Sequence, residues 1–289
     1  MPEPDPDLAL LQSAALAAGE VARRHFRKAP RVWEKPGGQG PVTEADLEID
    51  ALLRARLTGA RPGYGWLSEE SATAPAGTGQ DAVFVVDPID GTRAFIEGQD
   101  SFSHALAVVR GGQAVAAVVH LPERGLTYSA ALGGGAFLNG APIRASARHM
   151  LEGARVLATR RHLQPEFWAS GPPAVERHFR TSIAWRICLV AEGAFDAMLT
   201  LRDAWSWDIA AGSLIAAEAA ARVSDAAGHP LRFDNPSAPT SPGLVVAAPA
   251  VHGGLLERLR PIDRTARTST RGPAPVLPAD PGTVRSAPD

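Results

Sequence analysis

The chain has 289 residues, 45% of them apolar and 21% charged, with a formal net charge of −2. This suits a globular protein of one large or two modest cored domains, and the near-neutral charge excludes a basic surface built for nucleic acid or anionic membrane. The one cysteine, Cys188, excludes an internal disulfide framework, and no apolar run approaches the ~18 residues of a membrane span. With an acidic, proline-rich opening unlike a secretory signal, a cytoplasmic protein is expected.

Residues 8–28 are rich in alanine and leucine, with basic residues gathered at the end, which predicts an amphipathic helix. Residues 34–40 read as a flexible loop, on which Lys35 is either solvated or close to a site. Thr43 followed by Asp46 matches a helix-capping pattern and predicts a helix to about Leu57. Residues 64–67 predict a short strand running into Ser68-Glu69-Glu70-Ser71, and residues 72–80 a loop. Val83-Phe84-Val85-Val86 predicts a buried strand that ends at or just before Pro88, because proline cannot donate to a sheet ladder. Thr92 is placed to cap a following helix.

Residues 103–109 and 113–120 predict a hairpin turned by Gly111-Gly112, and residues 126–130 and 136–140 continue an antiparallel sheet. Beyond Arg148, strands are predicted at residues 156–159, 195–199 and 243–248, and helices at residues 182–191, 207–221 and 252–259. Residues 222–233 link the last long helix to the last strand, and residues 261–289 offer little to bury and are expected to be disordered.

The chemistry concentrates in Asp87-Pro88-Ile89-Asp90-Gly91-Thr92. A strand that delivers two carboxylates into a glycine turn offers anionic oxygens beside free backbone N–H groups. Hard divalent cations want the first and phosphate the second. Glu69 after one strand and Asp208 at the head of a helix add acidic groups at element ends. Each alone is an ordinary cap or surface residue. Together they can supply the bridging carboxylate and flanking oxygens that two metals about 4 Å apart require.

Four pieces carry a resemblance to a known family: Pro41-Val42-Thr43-Glu44-Ala45-Asp46, Trp66-Leu67-Ser68-Glu69-Glu70-Ser71, the turn from Asp87 to Thr92, and Trp207-Asp208-Ile209-Ala210-Ala211-Gly212. Their order and spacing over roughly residues 8–260 resemble the inositol monophosphatase superfamily of magnesium-dependent, lithium-sensitive phosphatases. The resemblance implies a layered α/β fold, an α-β-α-β-α sandwich, with an α+β domain over residues 1–147 and a smaller α/β domain over residues 148–260. It implies two or three Mg²⁺ ions. Asp87 would bridge two of them, Glu69 and the Ile89 carbonyl would complete the first, and Asp90 and Asp208 would hold the second. Glu69, Thr92 and Asp46 would be catalytic, Thr92 positioning or deprotonating water with Asp46 behind it. Gly91 and Thr92 would grip phosphate through backbone N–H groups, with Asp208 also at the substrate.

Substrate choice is expected in the second half. Inositol phosphatases of the familiar type carry a glutamate seven residues before the later metal aspartate, where this chain has Leu201. The run from Ser182 to Gly193 resembles bacterial 3′(2′),5′-bisphosphate nucleotidases, which makes Arg186 a candidate for a second phosphate, with Arg160, Arg161 and His162 near it in sequence. Trp185 or Trp205 could stack on adenine, although core packing is commoner for tryptophan. The expected partner is therefore a small phosphorylated substrate, a bisphosphate nucleotide, with inositol or another polyol phosphate as the alternative. A family member devoted to binding a partner, with incidental catalysis, is a third reading. A homodimer is common in such a family.

Overall fold

The computed structural model describes residues 5–35, 40–71, 82–233 and 241–261. Helix α1 (Pro6–His25) is capped by Asp5, whose carboxylate accepts from the N–H groups of Asp7 and Leu8. Strands β1 (Val32–Glu34) and β2 (Pro41–Thr43) pair antiparallel, and α2 (Glu44–Ala60) follows directly. Thr43 and Asp46 form the reciprocal capping box that the sequence predicts for α2. Then come β3 (Gly65–Ser68), β4 (Val83–Asp90), the one-turn helix α3 (Thr92–Ile96), β5 (Ser103–Arg110), β6 (Gln113–Leu121), β7 (Leu126–Ala131), β8 (Gly135–Leu138) and β9 (Ala141–Pro142). The seven strands β3 to β9 form one sheet in chain order, parallel only between β3 and β4.

The second half contributes β10 (Arg155–Leu157), β11 (Glu176–His178), α4 (Ile183–Ala191), β12 (Ala197–Thr200), α5 (Ser206–Glu218), β13 (Arg222–Ser224), β14 (Leu244–Ala247) and α6 (Pro249–Arg258). Its five-stranded sheet has the order β11-β10-β12-β14-β13. The first sheet lies wholly before residue 147 and the second wholly after it.

Strand periodicity explains the layers. Phe84, Val86, Leu106 and Val108 point to one face and bury α1 and α2, while Val85, Ala105, Ala107 and Val109 point to the other and bury α4 and α5. The far side of α4 and α5 packs on Leu157, Met198, Leu244 and Val246 of the second sheet. Val156, Leu199, Val245 and Ala247 face outward to Val251 and Leu255 of α6. The result is the expected α-β-α-β-α sandwich, with one continuous apolar cluster joining both sheets through the middle helices. At Gly212 of α5 a Cβ would lie 2.9 Å from Ile187 Cβ of α4, so glycine is what lets these two helices close.

Several expectations need correction. Strand β4 does not stop at Pro88. It pairs with β5 through Asp87, skips two residues in a bulge, and pairs again at Asp90 opposite Ser103. Pro88 is tolerated because the bulge asks no N–H of it. Thr92 does not cap α3. The cap is Gly91, left-handed at φ 101°, and Thr92 is the first helical residue. Within the stretch read as a link, residues 222–224 form an edge strand. The last helix begins earlier than predicted, with Pro249 in its first turn. Most of the predicted 34–40 and 72–80 loops, and the tail from residue 262 on, lie outside the described residues.

Asp7 ties the first layer together. It is 3% exposed and accepts from Arg61 Nε at 2.9 Å, Tyr64 Oη at 3.0 Å and Arg110 Nη2 at 2.6 Å. Asp7→Ala would strand two guanidinium groups that are only partly solvated, and is expected to cost about 2–3 kcal/mol of unfolding free energy. Urea denaturation measures it, and a loss within ~0.5 kcal/mol would show that water replaces the carboxylate.

Candidate active site

Three strand or helix ends converge on one cavity of about 460 Å³. Glu69 follows β3, Asp87 and Asp90 close β4, and Asp208 sits in the first turn of α5. One carboxylate oxygen from each of Glu69, Asp87 and Asp208 lies within 4.8 Å of the other two. Asp208 does both things the sequence allows. It accepts from the Trp205 N–H at 3.1 Å as a helix-start residue, and it lines the cavity.

Asp90 also lines the cavity but is anchored elsewhere. Its Oδ2 accepts from Ser182 Oγ at 2.5 Å and from the Ala184 N–H at 2.7 Å, the cap and the first turn of α4. Ser182 caps that helix through the Trp185 N–H at 2.9 Å and meets Ser103 Oγ at 3.0 Å. Thus a carboxylate on the first sheet is satisfied by a helix of the second half.

Crowding shows in the electrostatics. Burial, then Glu69, Asp90 and Asp208, push the Asp87 carboxyl well above its ordinary range. Burial, then Glu69 and Asp90, push Asp208 to about 6. Asp90 is also raised by burial, against the donors Ser182, Ala184 and Ile183. Asp87 is 1% exposed, and its Oδ1 has no hydrogen-bond partner among the described residues. An orphaned carboxylate oxygen amid like charges is costly unless a cation neutralises it. An all-oxygen donor set of this charge fits a hard divalent metal.

Lys35 supplies the internal counter-charge. Its Nζ donates to Glu69 Oε1 at 2.8 Å and Glu70 Oε1 at 2.6 Å. Burial pulls this ammonium down, but Glu69 and Glu70 outweigh it and hold Lys35 above its usual value. Of the two sequence alternatives for Lys35, the structure takes the one beside the site.

Thr92 Oγ1 donates to the Ile89 carbonyl at 3.1 Å and lies 3.5 Å from Asp46 Oδ1. Asp46 is fully buried. Burial raises it to about 6 against the Thr43 hydroxyl and N–H, which both donate to Oδ2. Ile89, Gly91 and Thr92 all line the cavity.

The second-half candidates fall differently. Arg186 is 4% exposed and lies behind the cavity wall, its Nε donating to the Ser182 carbonyl at 3.3 Å. Burial pulls its pKa to about 10 against the attraction of Asp90. Arg160 and Arg161 are exposed away from the cavity lining, and His162 is buried. Trp185 is core, and Trp205 stacks on Trp207 at 4.9 Å in the core. The residues that do line the cavity there are Phe179, Thr181 and Arg202, joined by Arg93 from α3. Sequence reasoning misses these four. Only the position of Arg93, directly after the Gly91-Thr92 turn, signals its place.

The model of the inositol monophosphatase family matches residues 3–264. The chain belongs to this family. An inositol-1-monophosphatase of Rhizobium meliloti (strain 1021) is 34% identical over 232 residues, covering 76% of this chain and 86% of that protein. The 3′(2′),5′-bisphosphate nucleotidase CysQ of Aggregatibacter actinomycetemcomitans is 30% identical over 240 residues, covering 80% and 89%. Among solved structures, the extragenic suppressor protein SuhB of Bartonella henselae superposes with a TM-score of 0.76 at 25% identity, over 88% of this chain and 98% of that one. As a member of the inositol monophosphatase family the chain is a phosphomonoesterase, and the family works with metal ions, for which the acidic cluster is the fitting place. No described helix is long and apolar enough to cross a membrane.

Proposed function

We propose that this phosphatase is Mg²⁺-dependent and removes the 3′-phosphate of 3′-phosphoadenosine 5′-phosphate. One observation carries the reading: the cavity that holds the carboxylates also holds Phe179, 44% exposed, and two arginines, Arg93 and Arg202, in no ion pair within 4 Å among the described residues, although the Arg202 charge does act on the Asp208 carboxyl. The Arg186 guanidinium covers one side of the Phe179 ring, 5.5 Å from its centroid, and the exposed remainder can meet a base. A guanidinium outside any ion pair offers a second phosphate its fork. The CysQ relative is in keeping with it. Arg202 and Phe179 thus take the parts first expected of Arg186 and the tryptophans.

Glu69, Asp87, Asp90 and Asp208, with the Ile89 carbonyl, would hold two Mg²⁺ ions. When bound, the ions neutralise phosphoryl charge and bring water to nucleophilic strength at neutral pH. The chain does the rest. Gly91 and Thr92 present N–H groups at the start of α3, where no helical acceptor competes for them. The Thr92 hydroxyl orients the attacking water, and Asp46 behind it accepts the proton. Asp208, beside the first ligands, also faces the substrate. The displacement is in line and needs no covalent bond to the enzyme.

A second reading, inositol 1-phosphate, is favoured by the Rhizobium relative. Against it, Leu201 is 2% exposed and puts no carboxylate where the familiar inositol enzymes have one. Phosphate release from the two compounds side by side, with Mg²⁺ and with added Li⁺, decides between them. The nucleotide is expected to win by at least tenfold and Li⁺ to inhibit. Preference for inositol 1-phosphate would overturn the reading.

Metal binding should itself depend on pH. The raised carboxyls of Asp87 and Asp208 favour protons that a cation must displace, so affinity falls as pH drops through the Asp208 value of about 6. Calorimetric titration of the metal-free protein with Mg²⁺ at pH 8 and pH 5 is expected to show at least tenfold weaker binding at the lower pH, with protons released.

A further inference from the structure

The bulge in β4 leaves two carbonyls, those of Pro88 and Ile89, outside the ladder with β5. Each has a side-chain donor instead. The Ile89 carbonyl takes Thr92 Oγ1, on the cavity side, and the Pro88 carbonyl takes His104 Nδ1 at 2.5 Å, in the core. His104 lies on β5, is fully buried, and stands opposite His120 on β6 with ring centroids 6.1 Å apart.

The protonation of His104 follows from these contacts. A carbonyl only accepts, so Nδ1 carries the proton. Burial keeps the ring neutral, lowering its pKa to about 3, so Nε2 is a bare acceptor, and it has no partner among the described residues. A buried imidazole with one nitrogen unsatisfied is an expensive residue for a strand whose neighbours are alanine, leucine and valine. What it returns is one hydrogen bond, on the Pro88 carbonyl.

That bond fixes the orientation of a peptide plane. In a planar peptide the C=O of Pro88 and the N–H of Ile89 point in opposite directions. Holding the carbonyl in the core prevents the Pro88–Ile89 plane from turning over, and so sets where the next carbonyl and the Asp90 side chain emerge. From this geometry we infer that His104 is a positioning residue, which preorganises the Ile89 carbonyl and the Asp87/Asp90 pair for metal from the side of the sheet away from the cavity. The inference rests on the metal set proposed above. It concerns a histidine on another strand, hydrogen-bonded to none of the four carboxylates among the described residues.

The test measures Mg²⁺ affinity by calorimetry on the metal-stripped full chain, beside its thermal midpoint. His104→Leu keeps the bulk and removes the donor. His104→Asn places an amide N–H near Nδ1, whereas His104→Gln places it farther out. His120→Leu is the control, since that imidazole serves Leu126 and Thr127, on the next strand. Second-layer hydrogen bonds of this kind are worth about 10–100-fold in metal affinity. We expect His104→Leu and His104→Gln to weaken Mg²⁺ binding at least tenfold, and His104→Asn to stay within about threefold of wild type. His120→Leu should lower the midpoint without moving the affinity.

Should His104→Leu not fold, the contrast between Asn and Gln carries the test alone. Equal affinities for these two variants, or wild-type affinity in a folded His104→Leu protein, would overturn the inference while leaving the metal set standing. No Mg²⁺ binding by the wild-type chain would overturn the metal set, and the inference with it.

Discussion

Asp87→Asn is expected to lower phosphate release by about 10³-fold or more while making the metal-free protein more stable. The two effects have one cause. Asp87 is buried with an unpartnered oxygen and three carboxylates raising its pKa further. Removing its charge relieves the folded metal-free chain by on the order of 1–3 kcal/mol, a rise of a few degrees in the midpoint for a domain of this size. The same charge is one that the proposed cations would need. Asp90→Asn should also abolish turnover, but with a smaller gain in stability. The donors Ser182 and Ala184 at the start of α4 partly offset the burial that raises the Asp90 carboxyl, so less is relieved when its charge is removed. Phosphate release and thermal melts in chelator distinguish the pair. Near-normal hydrolysis by either variant would remove these carboxylates from the reaction.

Arg202→Ala should separate two substrates. A charge-assisted hydrogen bond contributes about 1.5–3 kcal/mol, so kcat/KM for 3′-phosphoadenosine 5′-phosphate is expected to fall by roughly 10–150-fold. Adenosine 3′-phosphate, which lacks the second anion, should change by no more than about threefold. Arg202 is exposed on the cavity wall near Asp208, and unlike Arg186 it is not committed to a backbone carbonyl. Phe179→Ala should raise KM for both nucleotides and leave inositol 1-phosphate untouched, as expected of a ring that serves only the base. Equal losses on nucleotide and inositol substrates would mean that Arg202 acts on the carboxylates rather than on a distant phosphate.

The legible parts of the chain were those whose signals are local. The apolar run before Asp87, the Thr43–Asp46 capping box and the long antiparallel hairpins follow from side-chain period and turn chemistry, and they form as read. Glu69, Asp87 and Asp208 could be brought together because each marks an element end. The parts that were misread depend on partners far away in sequence. Strand β4 passes through Pro88 because β5 resumes pairing at Ser103, which no property of Pro88 reveals. β1, β11 and β13 are too short to show a period and exist only through their neighbours. Arg186 and Arg202 look alike in a sequence. One is on a helix face turned inward and the other on the loop before α5, and only packing tells them apart.

Ser182 and Ala184 fasten the later half of the polypeptide onto Asp90, one of the proposed metal ligands. The halves therefore cannot gape like jaws without dragging that carboxylate out of place. Product is expected to escape by movement at the rim, near Gly40 and Arg202, with the body shut. Amide exchange at Ala184 should then follow global unfolding and be indifferent to turnover.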